Sequence, residues 1–297
     1  MREELAIIQG LESKGEVLKL KAEDVSRFKI LHSYLSNGTF NISETPFSGW
    51  NKFEKKSFNY GMYHIEPPEY LNAIGHNWHI INSPICIAFG GTLSPTSDGF
   101  QLTELLAQQS VLGHGAIVIA GSAFGVDTAA HLGALDSNGK TIAVLANPVS
   151  YGLYPYTPKR TFLEEGILQN GGLLVSEYDS PTEDCFERLL QRDRITTALS
   201  DIFVAVECSH DSATVDSAKR AKLQGKKVVV IDWTKIRHTY HKPKISGATQ
   251  LIQENVADAI PKIRVSNIED PRFMHAFHEL IAGIGTRILE GEQWKSL

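Results

Sequence analysis

The sequence predicts an α/β fold, a doubly wound (extended Rossmann-like) and mostly parallel sheet with small helical appendages at both ends of the chain. The main observation is that short apolar runs alternate with longer amphipathic ones, as in a parallel sheet covered by helices on both faces. A second observation is the length of 297 residues, enough for one large domain with appendages. The composition, 42% hydrophobic and 21% charged, excludes fibrous and wholly disordered classes.

Six apolar runs are predicted to be strands, because each is short and continuous, as strands buried on both faces are. They are Ile85–Phe89, Ala116–Ala120, Thr141–Leu145, Leu173–Ser176, Ile202–Val206 and Lys227–Ile231. Helical segments fall between them, as crossovers between parallel strands require. The clearest are Phe100–Leu112, Asp127–Leu135 and Ser212–Leu223. We therefore expect one Rossmann-like domain over residues 63–235.

The flanks of this domain have a different pattern. Residues 1–62 are predicted to be a helical appendage followed by a connecting segment, and residues 236–297 a loop and a helical tail. The tail lacks the strand-hairpin pattern of a winged helix. The helices predicted in the flanks are Glu3–Glu12, Ala22–Leu35, one near Thr249–Ile260 and Pro271–Glu290.

Cysteine usage and the start of the chain indicate a compartment. Cys86, Cys185 and Cys208 are far apart and form no Cys-x-x-Cys pair, so neither a disulfide framework nor a cysteine zinc site is predicted. The chain starts without a basic segment followed by an apolar one, and no apolar stretch approaches the ~18 residues that span a bilayer. We expect a cytoplasmic protein without membrane association, and we predict no cofactor and no metal site.

The formal charge of −5 gives no global signature of nucleic-acid binding, but basic residues are concentrated in one stretch. This basic run has two interpretations: a solvated helix face followed by a lysine-flanked strand, or a local anion-binding patch. Between residues 219 and 244 there is one acid, Asp232, against Lys219, Arg220, Lys222, Lys226, Lys227, Lys235, Arg237, Lys242 and Lys244.

Three turns rich in glycine and hydroxyl residues follow predicted strands, at the edge where open α/β sheets bind ligands. The first contains Gly90, Gly91, Thr92 and Ser94, the second runs from Gly121 to Asp127, and the third is Ser212-Ala213-Thr214. Paired glycines allow a ligand to approach the backbone, helix starts favour anions, and Asp127 is suited to capping a helix. Each turn alone is explained by loop chemistry. Together they predict phosphate binding, although neither a Walker A loop nor a Gly-x-Gly-x-x-Gly fingerprint is present.

From about residue 63 to residue 231 the ordered motifs resemble those of the DNA-processing protein A family (DprA, also called Smf). Ala120–His131 is similar to the family signature Ser-Gly-x-Ala-x-Gly-Ile-Asp-x-x-Ala-His, and Gly90-Gly91-Thr92 stands where the family has Gly-Ser-Arg. The other matching segments, in family order, are Ile65–Leu71, Tyr154-Pro155, Ser176-Glu177, Arg192–Ile195, Leu199-Ser200, Ser212–Thr214 and Gly225-Lys226.

The resemblance implies a domain that binds single-stranded DNA, forms a homodimer and helps to load a RecA-type recombinase during natural transformation. It implies no catalytic residues. Phosphate contacts, hydroxyl groups at helix starts and aromatic stacking would hold the strand. The predicted binding residues are Gly90, Gly91, Thr92, Ser94, Gly121, Ser122, Phe124, Gly125, Asp127, Tyr154, Arg192, Arg194, Ser212, Thr214, Lys226 and Lys227.

Some of these residues have a structural interpretation as well. Arg192 and Arg194 are predicted phosphate contacts, but they could instead form ion pairs with Glu187 and Asp193. The aromatic rings of Tyr154 and Phe124 could stack on bases or pack in the core.

The chain departs from the family pattern at three positions. Thr92 replaces the arginine of Gly-Ser-Arg, Phe124 replaces an arginine of the signature, and Asp193 replaces the asparagine of Arg-Asn-Arg. Each change removes a cation or adds an anion, which weakens a clamp that depends on bidentate arginine.

A second function remains open on the same fold. The chain could sense a nucleotide-derived ligand or hydrolyse the glycosidic bond of a nucleoside monophosphate, with Glu177, Asp127 and Asp216 as acid/base candidates. The glycine-rich loop of phosphoribohydrolases is absent, which favours a binding protein over an enzyme. His131 could be an acid or base, but a histidine with satisfied hydrogen bonds in a helix is the simpler interpretation.

Overall fold

The computed structural model describes residues 17–36, 65–153, 158–182, 186–237, 243–261 and 264–289. Within them the strands form one sheet in the order β1-β2-β6-β5-β4-β3-β7-β8. Their bounds are β1 Leu18–Lys21, β2 Tyr70–Ile74, β3 Cys86–Gly90, β4 Ile117–Gly121, β5 Thr141–Val144, β6 Leu173–Ser176, β7 Ile202–Ala205 and β8 Lys227–Val230.

The six predicted strands are confirmed as β3 to β8, each within one residue of its expected ends, and all pair in parallel. Strand β3 lies between β4 and β7, with Ile87 opposite Ile202 and Ala88 opposite Phe203 in the β7 register. The chain therefore leaves β3 toward one side of the sheet and later returns to β7 on the other. At this reversal the crossovers diverge and leave a crevice outside the carboxyl ends of the two strands.

An antiparallel edge formed by β1 and β2, not predicted from the sequence, completes the sheet. Strand β2 pairs with β6, and β1 pairs with β2. The helix predicted at Ala22–Leu35 is a 3-10 turn at Ala22–Asp24 followed by a helix that begins at Ser26. Just before it, Leu18 and Leu20 alternate with lysines at the period of a strand, a signal too short to compete with a helical pattern. The helix predicted at Glu3–Glu12 lies outside the described residues.

The helices are α1 Ser26–Ser36, α2 Ser97–His114, α3 Val126–Asp136, α4 Pro158–Gln169, α5 Phe186–Ala198, α6 Ala213–Leu223, α7 Ser246–Gln253 and α8 Pro271–Leu289. They surround the sheet, and the three predicted crossovers are confirmed as α2, α3 and α6. Helix α7 ends earlier than expected because Asn255 takes a left-handed conformation (φ 55°) and Val256 N donates to Leu251 O, closing the turn. Two helices, α4 and α5, were not predicted.

Alternate residues of the strands divide between apolar cores on the two faces. One face of the sheet packs with α1, α5, α6 and α7, and the other with α2, α3 and α8. A smaller apolar cluster packs α4 against β5 and β6. The described parts of both flanks thus contribute to the cores, with Phe28 of α1 in the first and Phe277 of α8 in the second. The domain boundaries after residues 62 and 235 stay a prediction.

A buried ion pair fixes α1 to the amino edge of the sheet. Arg27 donates to both carboxylate oxygens of Asp201, at 2.9 and 2.6 Å, and also to Ile81 O and Ser83 O. Asp201 in turn accepts from Cys86 N at 2.8 Å, where β3 begins. The end of the sheet opposite the predicted ligand site is therefore stabilised by a buried ion pair.

None of the described helices combines the length and the apolar character needed to cross a bilayer.

Candidate functional site

A cleft of about 300 Å³ opens at the carboxyl ends of β3 and β7, where the strand order reverses. The loops after both strands, the start of α6 and one side of α5 form its walls. It brings together seven predicted residues: Gly90, Gly91, Thr92, Asp127, Arg192, Ser212 and Thr214. A larger depression of about 880 Å³ beside β1 and α1 contains none of the predicted residues.

The paired glycines of the first turn are required by protein packing. A Cβ on Gly90 would lie 2.5 Å from the Phe203 ring, and a Cβ on Gly91 would overlap Val126. The expectation that these glycines let a ligand approach the backbone is therefore corrected, because Phe203 and Val126 fill the space beside them. The glycines let β7 and α3 approach the end of β3, and this approach shapes the inner wall of the cleft.

Arg192 forms the floor of the cleft and is 4% exposed. Its guanidinium lies 3.2 Å from Asp127 Oδ2 and 2.9 Å from Asp193 Oδ1. Burial opposes its charge, but the two carboxylates outweigh burial and raise the Arg192 pKa. The ion-pair interpretation of Arg192 is confirmed, with Asp127 in the place expected for Glu187. A guanidinium that is already paired with two carboxylates is a poor phosphate clamp.

One hydrogen-bond donor of the Arg192 guanidinium makes no hydrogen bond to the described part of the protein. Arg192 Nε is buried and has no hydrogen-bond partner among the described residues. Beside it, Asp193 accepts from Ser217 Oγ at 3.1 Å, and burial raises the Asp193 pKa against the attraction of Arg192. An unmade hydrogen bond to a buried donor is costly, so the cleft floor is suited to a ligand that offers an acceptor.

The second turn has a more structural role than expected. Asp127 is the second residue of α3 and does not cap it, because the N-cap position belongs to Gly125 (φ 75°). Asp127 Oδ2 accepts from Ala123 N at 3.1 Å and pairs with Arg192, so it joins the turn to the cleft floor. A Cβ on Gly125 would overlap the backbone of Thr92 and Leu93. The first and second turns thus lie in direct contact.

The remaining residues of the first two turns are spread around this core. Gly121 lies directly against Arg192, and Ser122 is buried beside it. Phe124 is 47% exposed and is not among the cleft-lining residues. Ser94 is on the rim, where its backbone N donates to Thr92 Oγ1 at 3.3 Å. Tyr154 lies outside the described residues.

Three predicted cations do not reach the cleft. Arg194 forms a bidentate ion pair with Glu177, at 2.7 and 2.6 Å. Lys226 is 6% exposed and donates to Ala198 O at 3.0 Å, and burial lowers its pKa to about 8. Lys227 begins β8, and because β8 is parallel to β7, both lysines lie at the amino edge, opposite the cleft. The structure thus gives no support to phosphate contacts at the cleft by Arg194, Lys226 and Lys227.

Two residues that the sequence analysis did not select help to form the site. Glu207 is completely buried and accepts from Thr96 N (3.1 Å), Thr96 Oγ1 (3.0 Å) and Lys244 N (3.0 Å). It therefore connects the loops after β3 and β7 with the segment before α7. Phe186, at the start of α5, lines the cleft while 48% exposed. An acid directly after a buried strand was the available signal for Glu207.

The carboxylates considered as acid/base groups for hydrolysis of a glycosidic bond are held in ion pairs or do not line the cleft. Asp127 and Glu177 are both held in ion pairs with arginine, and Asp216 is buried without lining the cleft. The ring nitrogens of His131 contact Thr141 Oγ1 at 2.7 Å and Gly121 O at 2.9 Å, which confirms a hydrogen-bonded structural histidine. This arrangement is suited to binding rather than to proton transfer.

Comparison with known sequences identifies relatives. The sequence profile of the DNA recombination-mediator protein A family matches residues 53–269. The putative DNA processing protein DprA of Mycobacterium tuberculosis is 32% identical over 149 residues, which are 50% of this chain and 37% of that protein. DNA processing protein DprA of Bacillus subtilis is 25% identical over 228 residues, 76% of this chain and 70% of that protein. The chain thus spans little more than a third of the mycobacterial relative.

A solved structure has the same architecture. It is DNA processing protein A from Helicobacter pylori, reported for its single-stranded DNA binding mode, and it superposes with a TM-score of 0.56 at 25% identity. The superposition covers 74% of this chain and 92% of that one. The likeness therefore extends over most of both chains.

Proposed function

Because this chain belongs to the DNA recombination-mediator protein A family, we propose that it binds single-stranded DNA at the cleft between β3 and β7. We further propose that it acts in DNA processing during natural transformation. The observation that carries the proposal is the position of the cleft at the strand-order reversal, where the motifs that match the family come together. The relative from Helicobacter pylori, reported for its single-stranded DNA binding mode, supports the choice of ligand.

The cleft offers an apolar wall for an unstacked base. Phe186, Leu189 and Leu190 come from one end of α5, and the buried ring of Phe203 lies against Gly90 at the inner wall. A volume of about 300 Å³ is suited to one nucleobase with part of its sugar. Stacking on such walls is tolerant of sequence, because every base has a π-face. In this arrangement the unpartnered Arg192 Nε donates to an acceptor on the inserted base.

The start of α6 and the loop after β3 offer groups for the sugar-phosphate backbone. Ser212 and Thr214 are at the start of α6, where backbone amides and the helix dipole favour an anion. Thr92 faces them from the loop after β3. The carboxylates of the floor repel phosphate, so the phosphates remain at the rim while a base enters. Binding therefore depends on few phosphate contacts and has a moderate salt dependence.

The test is the binding of fluorescent oligothymidine over a series of salt concentrations, with a variant that fills the cleft. Ser209 lines the cleft and is exposed, so Ser209→Phe adds bulk at the opening without disturbing the core. Gln253→Phe adds a similar ring at an exposed position outside the cleft. We expect wild type and Gln253→Phe to bind and Ser209→Phe to lose most affinity. Equal binding by both variants places the DNA elsewhere, and absence of binding by wild type refutes the function.

We extend the proposal to two partners, a RecA-type recombinase and a second copy of this chain. The support for both is the family resemblance of the motifs. Sedimentation equilibrium tests the homodimer, and a strand-exchange assay on protein-coated single strands tests recombinase loading. Faster exchange with the wild type than with Ser209→Phe supports loading that depends on the cleft, whereas equal rates contradict it.

A further inference from the structure

The structure separates the basic run between residues 219 and 244 into groups with different roles. Three of its lysines are paired with carboxylates, and two of its cations are buried and donate to backbone carbonyls. The paired ones are Lys219 with Glu254, Lys222 with Asp258 and Lys235 with Asp232, and the buried ones are Arg220 to Leu190 O and Lys226 to Ala198 O. Most of the run is therefore engaged by the protein itself, and it is not one continuous anion-binding patch.

Lys244 differs from these because it reaches the rim of the cleft. Its Nζ donates to Thr92 Oγ1 at 3.0 Å and lies 3.5 Å from Ser94 O. Its side chain is exposed, and within the part of the chain that the structure describes no carboxylate forms an ion pair with it. The positive charge therefore faces solvent beside the first loop of the cleft.

The backbone of Lys244 is held firmly in this position. Its N donates to the buried carboxylate of Glu207 at 3.0 Å, and its O accepts from Cys208 N at 3.0 Å. Glu207 and Cys208 lie two and three residues after the end of β7, so the segment before α7 is attached to the same strand end that forms the cleft. A charged group on a fixed backbone loses less conformational entropy when it meets a ligand.

We propose that Lys244 is the phosphate-contacting cation of this cleft, and that it supplies from the C-terminal part of the chain the charge that position 92 lacks. Thr92 stands where the family motif has an arginine, and its hydroxyl is the group that Lys244 contacts. A lysine ammonium has three donors, so a phosphate oxygen at the rim accepts one while Thr92 and Ser94 orient the others. This inference rests on the proposed function.

The experiment compares oligothymidine binding over a salt series by wild type, Lys244→Gln, Lys244→Arg and Lys227→Gln. Lys227→Gln removes a lysine charge from the same basic run, but at the amino ends of the strands, away from the cleft. We expect Lys244→Gln to weaken binding roughly tenfold, as for the loss of one charged hydrogen bond. We expect its salt slope to fall by about 0.7, the value for one phosphate contact on a single strand. Lys244→Arg and Lys227→Gln should bind as wild type does.

A second substitution tests whether the charge belongs at this point of the rim. Thr92→Arg in the Lys244→Gln background places a cation at the same position from the other loop, and it should restore affinity and salt slope. This double variant also serves as the test if Lys244→Gln lowers the thermal unfolding temperature. If Thr92→Arg then restores DNA binding, the proposal is supported, and if it does not, the proposal is overturned.

The remaining outcomes distinguish the two proposals. If wild type binds but Lys244→Gln binds equally well, the role of Lys244 is refuted while the proposed function stands. If Lys227→Gln weakens binding as much as Lys244→Gln does, the effect is one of net charge and the rim contact is refuted. If wild type does not bind, both proposals fail.

Discussion

The guanidinium of Arg192 occupies the space that a side chain at position 121 would need. Gly121 ends β4 and begins the second glycine-containing turn, whereas Arg192 comes from α5, a helix far away in the sequence. The glycine thus serves the cleft indirectly. It lets a paired arginine lie against the end of the sheet and form the floor on which a ligand would rest.

Substitution of this glycine should disturb stability and binding together. In Gly121→Ala the new methyl group overlaps the Arg192 guanidinium, and we expect a loss of about 1–3 kcal/mol in the free energy of unfolding, as for overpacking. Oligothymidine affinity should fall as well because the floor moves. Gly283→Ala, in an open position of α8, is the control and should be neutral or stabilising. Urea denaturation measures the free energy of unfolding, and DNA titration measures the affinity. If Gly121→Ala has the same free energy of unfolding as wild type, the packing argument is contradicted.

Removal of the aromatic ring at the cleft opening should weaken DNA binding without unfolding the protein. Phe186 lines the cleft and is 48% exposed, so Phe186→Ala deletes a stacking surface at a small cost in packing. We expect the affinity for oligothymidine to fall roughly tenfold, within the range for loss of one stacked base. Phe162, which is 73% exposed on α4 away from the cleft, provides the matched control as Phe162→Ala. The same affinity for both variants would exclude Phe186 from the interface.

The buried ion pair at the amino edge should make residues 17–36 part of the cooperative unit. Arg27→Met leaves the Asp201 carboxylate buried without its partner, and we expect a loss of about 3–5 kcal/mol in the free energy of unfolding. Lys29→Met removes an exposed charge from the same helix and should change little. A single urea transition that shifts to lower concentration in Arg27→Met agrees with this prediction. Two separate transitions in wild type would show that the N-terminal segment folds independently.

Lys226 should give the stability a specific dependence on pH. Burial lowers its pKa to about 8, whereas a lysine in an unfolded chain has a pKa of about 10.4. Between these values the unfolded chain holds a proton that the folded protein has released, so the Lys226 contribution to the free energy of unfolding rises with pH. From about pH 7.5 to about pH 9.5 the gain is about 2 kcal/mol.

The measurement is the difference in unfolding free energy between wild type and Lys226→Met at several pH values. The comparison is needed because burial raises the pKa of Cys86 and Cys208 to about 12, and those thiols act in the opposite direction over the same range. We expect wild type to gain relative to Lys226→Met as the pH rises. A constant difference would mean that the ammonium keeps its ordinary pKa in the folded protein.

Some features of the site were predictable, and others depended on distances that sequence does not encode. The strands could be read because each is a short apolar run between breakers, and the turns because glycine and hydroxyl residues follow those runs. Arg194 and Lys226 were misplaced because a local pattern contains no information on which carboxylate or carbonyl will face a cation. Lys226 immediately precedes β8, so its position at the amino edge followed from the strand direction and could have been recognised.

The sequence by itself determined the α/β class, the parallel strands β3 to β8 and the turns at their carboxyl ends, because periodicity and turn chemistry are local properties of the chain. The tertiary structure alone decided which groups meet. It brought Lys244 to Thr92, paired Arg192 with Asp127 and Asp193, and placed Glu207 between three loops. These contacts join segments far apart in the chain, and the strength of a charge or hydrogen bond depends on its distance and burial, which only the folded chain defines.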